Sequence, residues 1–162
     1  MNALKTLFLG PPPLTLGVAE SLTSGHVQAR IGAISGASQF FLGGVTAYTL
    51  DQKVQLLGVE RSVAQPVNCV SARVAEQMAV GACRLFGCSV SIATTGYAEP
   101  SPEWGASEPF GWWALAYVPP LQETRIRSGR TDCPGASRIQ AQELVTDAAV
   151  EALMRTLAEW RG

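Results

Sequence analysis

Apolar residues in this chain come in two patterns, compact unbroken runs and longer stretches spaced as on one face of a helix, and the two alternate from end to end. Residues 2–9 suit a short helix that Pro11-Pro12-Pro13 must stop, because proline lacks an amide proton and restricts the residue before it. Residues 14–19 make an apolar run suited to a buried strand. After it, Ser21, Thr23, Ser24 and Gly25 supply hydroxyl caps and a glycine ahead of a helix reaching about Ile31. Small residues fill 32–38, Phe40, Phe41 and Leu42 form an apolar anchor, and residues 43–49 are β-branched and aromatic enough for a second strand. Asp51 is placed to cap a short helix carrying Lys53, Val54, Leu56 and Leu57, which Gly58 closes.

Further along, Ser71 precedes residues 72–86, where Val74, Met78, Gly81, Ala82 and Leu85 recur at helical spacing and predict one buried face, ended by Gly87. Residues 89–95 predict a third strand. Its end, Thr94-Thr95-Gly96, opens an irregular stretch through Pro100, Pro102, Gly105 and Pro109, and a loop of that length inside a compact domain is usually functional or disordered. Residues 111–118 and about 123–130 predict two strands joined at Pro119-Pro120 as a hairpin, which gives the sheet an antiparallel portion. From 137 to 160, Ile139, Leu144, Val145, Ala148, Ala149, Leu153 and Leu157 mark one long amphipathic closing helix. Strands alternating with helices imply the α/β class, a three-layer α/β/α single domain spanning 1–162 around a mixed, mostly parallel sheet. Ligands of such sheets bind beyond the carboxyl ends of strands, where Glu20-Ser21, Tyr48 and Thr94-Thr95-Gly96 are expected.

Composition narrows the partners. At 47% apolar and 15% charged, the chain can bury a real core, and its sparse surface charge favours burial of surface between subunits, so a homo-oligomer is expected. A net charge of -1 with no dense basic run lacks the footprint of a nucleic-acid binder. The apolar run in MNALKTLFLGPPP is too short for a secretory or membrane-spanning segment, so a cytoplasmic location without a membrane partner is expected. Cys69, Cys83, Cys88 and Cys133 contain no CxxC pair and read as small buried side chains; with His26 the single histidine, no metal-ligand cluster is spelled out.

That single histidine also shapes the candidate chemistry. A Ser-His-Asp site would have to be built on His26, and a Ser-Lys arrangement is one of the few other ways to activate a hydroxyl at neutral pH. Residues 36–53, GASQFFLGGVTAYTLDQK, offer Ser38, Tyr48 ten positions later and Lys53 five further on. Each has a plain structural reading as well: Ser38 capping a turn, Tyr48 packing on a strand, Lys53 solvated on a helix. The Tyr48 and Lys53 spacing is one residue too long for a short-chain dehydrogenase pair, and no GxGxxG follows the first strand. Trp104, Trp112 and Trp113 suit core or subunit packing or stacking on a planar ring, and His26 suits a helix surface.

Several runs together carry a resemblance: Ala19-Glu20-Ser21-Leu22-Thr23-Ser24-Gly25, then Gly36-Ala37-Ser38, Phe41-Leu42-Gly43-Gly44-Val45, Ala47-Tyr48, Lys53 and Leu57-Gly58-Val59. Val70-Ser71, Val74-Ala75, Met78-Ala79, Gly81-Ala82, Thr95-Gly96-Tyr97-Ala98, Pro109-Phe110-Gly111 and Pro134-Gly135 continue it. In this order and spacing the chain resembles the CinA carboxy-terminal domain family, whose stand-alone members are nicotinamide-nucleotide amidases. The resemblance implies deamidation of nicotinamide mononucleotide to nicotinate mononucleotide and ammonia, with no cofactor or metal. Ser38 is then the nucleophile, Lys53 its general base and Tyr48 a hydrogen-bonding partner or proton relay. Lys53 must be partly desolvated for that, since an amine with its ordinary value near 10.4 is protonated at pH 7; Phe40, Phe41 and Leu56 are candidates for the apolar setting. Backbone amides near Gly36 or Gly96 are candidates for holding the oxyanion.

The same resemblance implies that Glu20, Ser21, Thr23 and Ser24 bind the pyridine nucleotide, with the helix start at Ser21, Thr23 and Ser24 taking its phosphate. It adds Gly36 and Gly44, Thr95 and Gly96, and Arg138. The chain departs from the family pattern at Leu22, where the family has cysteine, and at His26, where it has a second glycine. It departs again at Tyr97-Ala98-Glu99-Pro100, where the family has a glycine-proline turn, and at Ser137, where it has an arginine that Arg138 follows by one position. Glu99 there is expected to repel a phosphate. Two further readings follow from these departures: a catalytically silent relative that binds a nucleotide or a protein partner, and a Ser-Lys amidase with a different carboxamide substrate.

Overall fold

The computed structural model describes residues 2–161. Five strands, β1 (Leu16–Glu20), β2 (Phe41–Thr46), β3 (Val90–Tyr97), β4 (Phe110–Tyr117) and β5 (Arg125–Asp132), form one sheet in the order β2-β1-β3-β4-β5. β1 runs parallel to β2 and β3, while β3, β4 and β5 pair antiparallel, so β4 alone opposes the common direction and the sheet is mixed and mostly parallel. Helices α1 (Asn2–Leu9), α2 (His26–Gly32) and α6 (Arg138–Arg161) cover one face. Helices α3 (Leu50–Leu57), α4 (Arg61–Ala64) and α5 (Ala72–Phe86) cover the other, completing three α/β/α layers.

Strand side chains alternate between faces, and here the alternation is also one of size. Leu16, Val18, Val90, Ile92 and Leu115 face α1, α2 and α6, where Phe8 stacks on Phe40 at 5.0 Å between ring centroids. Ala19, Ala93, Ala114 and Ala116 face the other way, and this low relief lets α5 lie close enough for Ser91 Oγ to donate to the Ala79 carbonyl at 2.6 Å. A Cβ on Gly81 of α5 would stand 2.0 Å from the Leu57 carbonyl oxygen, so glycine there is what lets the end of α3 rest on α5.

Helix α5 takes the predicted limits, with the Ser71 hydroxyl accepting from the Val74 amide and Gly87 closing it in a left-handed conformation. Its buried face differs: Leu85 is 42% exposed, and Ala75, Ala79 and Cys83 are buried beside Val74, Met78, Gly81 and Ala82. Ile139 and Leu144 of α6 are likewise exposed. Strand β2 begins at Phe41 rather than at 43, because Leu16 already pairs with Phe41. The cap of α3 is Thr49, whose hydroxyl accepts from Gln52, whereas Asp51 stands in the first turn and pairs with Arg61 at 2.5 Å. Residues 59–70, for which the pattern predicted no element, hold α4 and a 3-10 turn at Gln65–Val67. Trp112 and Trp113 pack against opposite faces of the sheet, the plain reading of both. All four cysteines are buried and unpaired. Among the described residues, no helix is long and apolar enough to cross a membrane.

Candidate active site

From β1 the chain crosses to β2 on one side and later returns to β3 on the other, so the carboxyl end of β1 lies where the connections diverge, the usual crevice of an open α/β sheet. A pocket of about 680 Å³ opens there. Ser21, Lys53, Cys69 and Thr95 line its depth, Tyr48 stands at one side, and the stretch after β3 together with Arg138 makes its mouth.

Lys53 is the notable member. It is 1% exposed, and its Nζ donates to Ala47 O at 2.9 Å and Tyr48 O at 3.1 Å while lying 2.9 Å from Ser21 Oγ. The helix α3 that carries it starts directly behind the end of β2, so the lysine reaches back over the strand end to the residue after β1. Burial strips water from the ammonium and pulls its pKa from 10.5 to about 8. The contact set suits the neutral amine: two carbonyls take its two N–H groups and leave the nitrogen lone pair for the Ser21 hydroxyl proton. This is the geometry of a serine activated by a lysine base.

Ser21 is held by what precedes it. Glu20 is fully buried, and its carboxylate accepts from the amides of Gly25 at 3.0 Å, Val27 at 3.1 Å and Gln28 at 2.9 Å, and from Thr23 Oγ1 at 2.5 Å. Thr94 Oγ1 lies 2.7 Å from Thr23 Oγ1, and with Thr23 donating to Glu20, Thr94 is the donor to Thr23. The ends of β1 and β3 and the start of α2 are thereby tied to one carboxylate. On the opposite wall, Thr95 Oγ1 donates to the Cys69 carbonyl at 2.7 Å, and Asn68 and Cys69 both hold positive φ, 48° and 62°. Two successive non-glycine residues in that conformation are strained, a feature that gathers at functional sites. Burial pushes the Cys69 thiol up, against the pull of Lys53 and Arg61, so it stays protonated and does not compete as a nucleophile.

The structure brings Ser21, Tyr48, Lys53, Thr95, Gly96 and Arg138 to this pocket. It does not bring Ser38. That residue is exposed on the 3-10 turn Ala37–Gln39 ahead of β2, whereas Lys53 sits beyond the end of β2; a six-residue strand separates them by roughly 20 Å. The pairing of Ser38 with Lys53 is therefore corrected to Ser21 with Lys53. Gly36 caps the same distant turn in a left-handed conformation, beside the Lys5 side chain, so of the two candidate oxyanion turns only that at Gly96 lines the pocket. Gly44 faces the Gln28 side chain. Glu20 and Thr23 are consumed in the buried network, and Ser24 is exposed on the turn before α2 with φ 49°. The phosphate site expected at the start of α2 is thus already filled by the Glu20 carboxylate. Phe40 packs on Phe8 and not around Lys53. His26 turns Nδ1 to the Thr23 carbonyl at 2.5 Å, away from the pocket lining.

Residues the sequence reading missed are Asn68 and Cys69, which fall in the segment given no element, and Ser21 as the partner of Lys53. For Ser21 a signal existed: it follows an apolar strand directly, at the edge where Tyr48 was already expected. At the mouth, the Arg138 guanidinium donates to Glu99 Oε1 at 2.8 Å through Nη1 and to Tyr48 Oη at 2.8 Å through Nη2. Two departures from the family pattern are partners of each other.

The chain has relatives in sequence and in fold. The chain is 42% identical over 106 residues to a CinA-like protein of Picosynechococcus sp., covering 65% of this chain and 25% of that protein. It is 33% identical over 148 residues to a CinA-like protein of Chlorobium limicola, covering 90% of this chain and 34% of that protein. The chain thus spans about a quarter to a third of the length of these curated relatives. Among solved structures, a competence-damaged protein (CinA) superfamily protein from Enterobacter cloacae superposes with a TM-score of 0.87 at 22% identity, covering 96% of this chain and 89% of that one, a likeness of fold alone. Another from Klebsiella pneumoniae gives 0.86 at 25% identity, covering 98% and 94%. The model of the CinA C-terminal domain matches residues 9–157, and the chain belongs to that family.

Proposed function

We propose that this chain is an amidohydrolase that converts the carboxamide of a nicotinamide nucleotide-type substrate to the carboxylate and ammonia, with Ser21 as nucleophile and Lys53 as base. The observation that carries the reading is the buried Lys53 amine 2.9 Å from Ser21 Oγ inside a pocket at the sheet's carboxyl edge. Ser21 Oγ attacks the carboxamide carbon as its proton passes to Lys53 Nζ. The tetrahedral adduct collapses by breaking the C–N bond, and Lys53 returns the proton to the leaving nitrogen, releasing ammonia. Water, its proton taken by Lys53, then cleaves the acyl ester and restores Ser21. Tyr48 serves as substrate wall and hydrogen-bonding partner. Nicotinamide mononucleotide is the substrate that the resemblance implies, and the reading carries with it a cytoplasmic, homo-oligomeric enzyme that uses no cofactor.

The test is ammonia release from a panel of pyridine carboxamides beginning with nicotinamide mononucleotide. Ser21→Ala is expected to lower kcat by about 1000-fold or more, the scale of losing an activated nucleophile, while Ser38→Ala stays within about twofold of the parent, as for an exposed residue away from the site. The opposite pattern rejects the Ser21 assignment. Saturable ligand binding with no ammonia from any carboxamide makes the chain the silent relative instead.

A further inference from the structure

Resting on that amidase reading, we infer that the pocket mouth selects a cationic pyridinium carboxamide nucleoside over its 5′-phosphorylated nucleotide. The cationic side chains lining the pocket are Lys53 and Arg138. Lys53 lies at the bottom with both N–H groups spent on carbonyls and its lone pair toward the serine, leaving Arg138 as the one cationic partner for a phosphate in this lining. Arg138 is already engaged, by Glu99 at 2.8 Å and by the Tyr48 hydroxyl. A phosphate that displaced Glu99 would still have that carboxylate beside it. A second carboxylate, Glu103, stands in the same mouth and accepts from Ser101 Oγ at 2.6 Å, which holds its pKa below the ordinary value, so it is ionised.

Backbone donors do not make up the deficit. The start of α2 is occupied by Glu20. The start of α6 is closed on itself, Gln140 N donating to Ser137 Oγ at 3.4 Å and Ser137 N to Gln140 Oε1 at 2.9 Å, and Gly135 N donates to Glu108 at 2.9 Å. The start of α3 holds the Thr49 cap and the Asp51 carboxylate. At each of these three helix starts an oxygen of the chain already stands where an anion would be placed. What the mouth does offer is two carboxylates and the rings of Tyr97 and Trp104, Trp104 being 48% exposed. Carboxylates and aromatic faces both attract a quaternised pyridinium ring. The phosphate is the part of the nucleotide this mouth has least to hold.

The experiment compares kcat/KM for ammonia release from nicotinamide riboside and nicotinamide mononucleotide on the full chain at low salt, about 20 mM, where screening is weak. The nucleoside is expected to be favoured by about tenfold or more. Glu99→Gln, at an exposed position, is expected to shrink the ratio about fivefold by raising turnover of the nucleotide and lowering that of the nucleoside; Arg138→Gln is expected to widen it. A parent enzyme that favours the nucleotide, or a ratio unmoved by Glu99→Gln, overturns the inference and leaves the amidase reading standing. If neither compound releases ammonia, the amidase reading fails alone, and calorimetric Kd values for the same two ligands decide the selectivity. Tighter nucleoside binding supports it; tighter nucleotide binding, or no binding of either, overturns it.

Discussion

Lys53 gives the chain a pH dependence that can be worked out and measured. Its amine has a pKa of about 8 in the folded protein against 10.5 when solvated. The unfolded chain therefore binds more protons between those two values, and stability rises with pH across that window. Below pH 8 the folded state bears the whole cost of a charged buried amine; above 10.5 the cost is gone. At about 1.4 kcal/mol for each tenfold change in proton affinity, the difference amounts to about 3 kcal/mol. The measurement is urea unfolding of the parent and of Lys53→Met, both in a Cys69→Ser background so that the neighbouring thiol does not titrate, at pH values from 7 to 11. All other titrations are shared and cancel, so the parent should gain about 3 kcal/mol on Lys53→Met between pH 8 and 10.5. The same proton sets activity: about one amine in ten is neutral at pH 7, and kcat/KM should rise nearly tenfold per pH unit toward an inflection near pH 8. A flat difference curve, with a rate that keeps climbing past pH 9 toward 10.5, means that the amine titrates as it does in water and that burial does not set its proton affinity.

Glu20→Gln removes the charge from a carboxylate with four donors and turns one of its acceptors into a donor facing amides, so a loss of about 2–4 kcal/mol in urea unfolding is expected, together with lower kcat as Ser21 shifts. A loss below about 1 kcal/mol would show the network to be replaceable. Gly81→Val forces a side chain into the Leu57 carbonyl, 2.0 Å from where its Cβ would lie, and α3, which carries Lys53, must then move off α5. Both thermal stability and ammonia release should fall, by about 3 kcal/mol or more for the first; retained activity would show that α3 is positioned by something other than this contact.

The layered α/β architecture was legible because each element carries a local signature. Ser71 and Gly87 mark the ends of α5 through their own caps, and the apolar run at 14–19 reads as a buried strand without knowledge of its neighbours, the strand itself spanning Leu16–Glu20. What was not legible depends on pairing. Whether Leu85 or Cys83 turns inward is decided by the alanine face α5 lies on, and Ile139 and Leu144 stay outside because α6 turns other residues to the sheet. The site shows the same division. Tyr48 and Lys53 follow the end of β2, Thr95 and Gly96 stand in the last residues of β3, and the four duly meet. Ser38 is as near to Lys53 in sequence as many true partners, but a strand lies between them, and a strand carries its two flanks to opposite edges of the sheet. Ser21, distant in sequence, arrives beside Lys53 because β1 and β2 are parallel neighbours, Glu20 pairing with Thr46. The Arg138 and Glu99 pair was hidden for a similar reason: each looked like an isolated departure until the closing helix brought them together.

Several unfavourable features of this molecule gather at that one edge. A desolvated amine, two residues held in left-handed conformations and a buried carboxylate lie around the pocket, while the large apolar side chains of the core, Phe8, Phe40, Leu16 and Ile92 among them, pack against the other face and toward the other end of β1. Each costly group is held from a neighbouring element: Lys53 by the carbonyls after β2 and the hydroxyl after β1, Cys69 by Thr95 of β3, Glu20 by the first amides of α2. None can relax without pulling a strand end out of register, which is how strain at a site survives in a domain whose net stability is only about 5–15 kcal/mol. The neutral fraction of Lys53, on which the proposed activation of Ser21 depends, is thereby set by the burial that the packing of the sheet and its helices imposes on the amine.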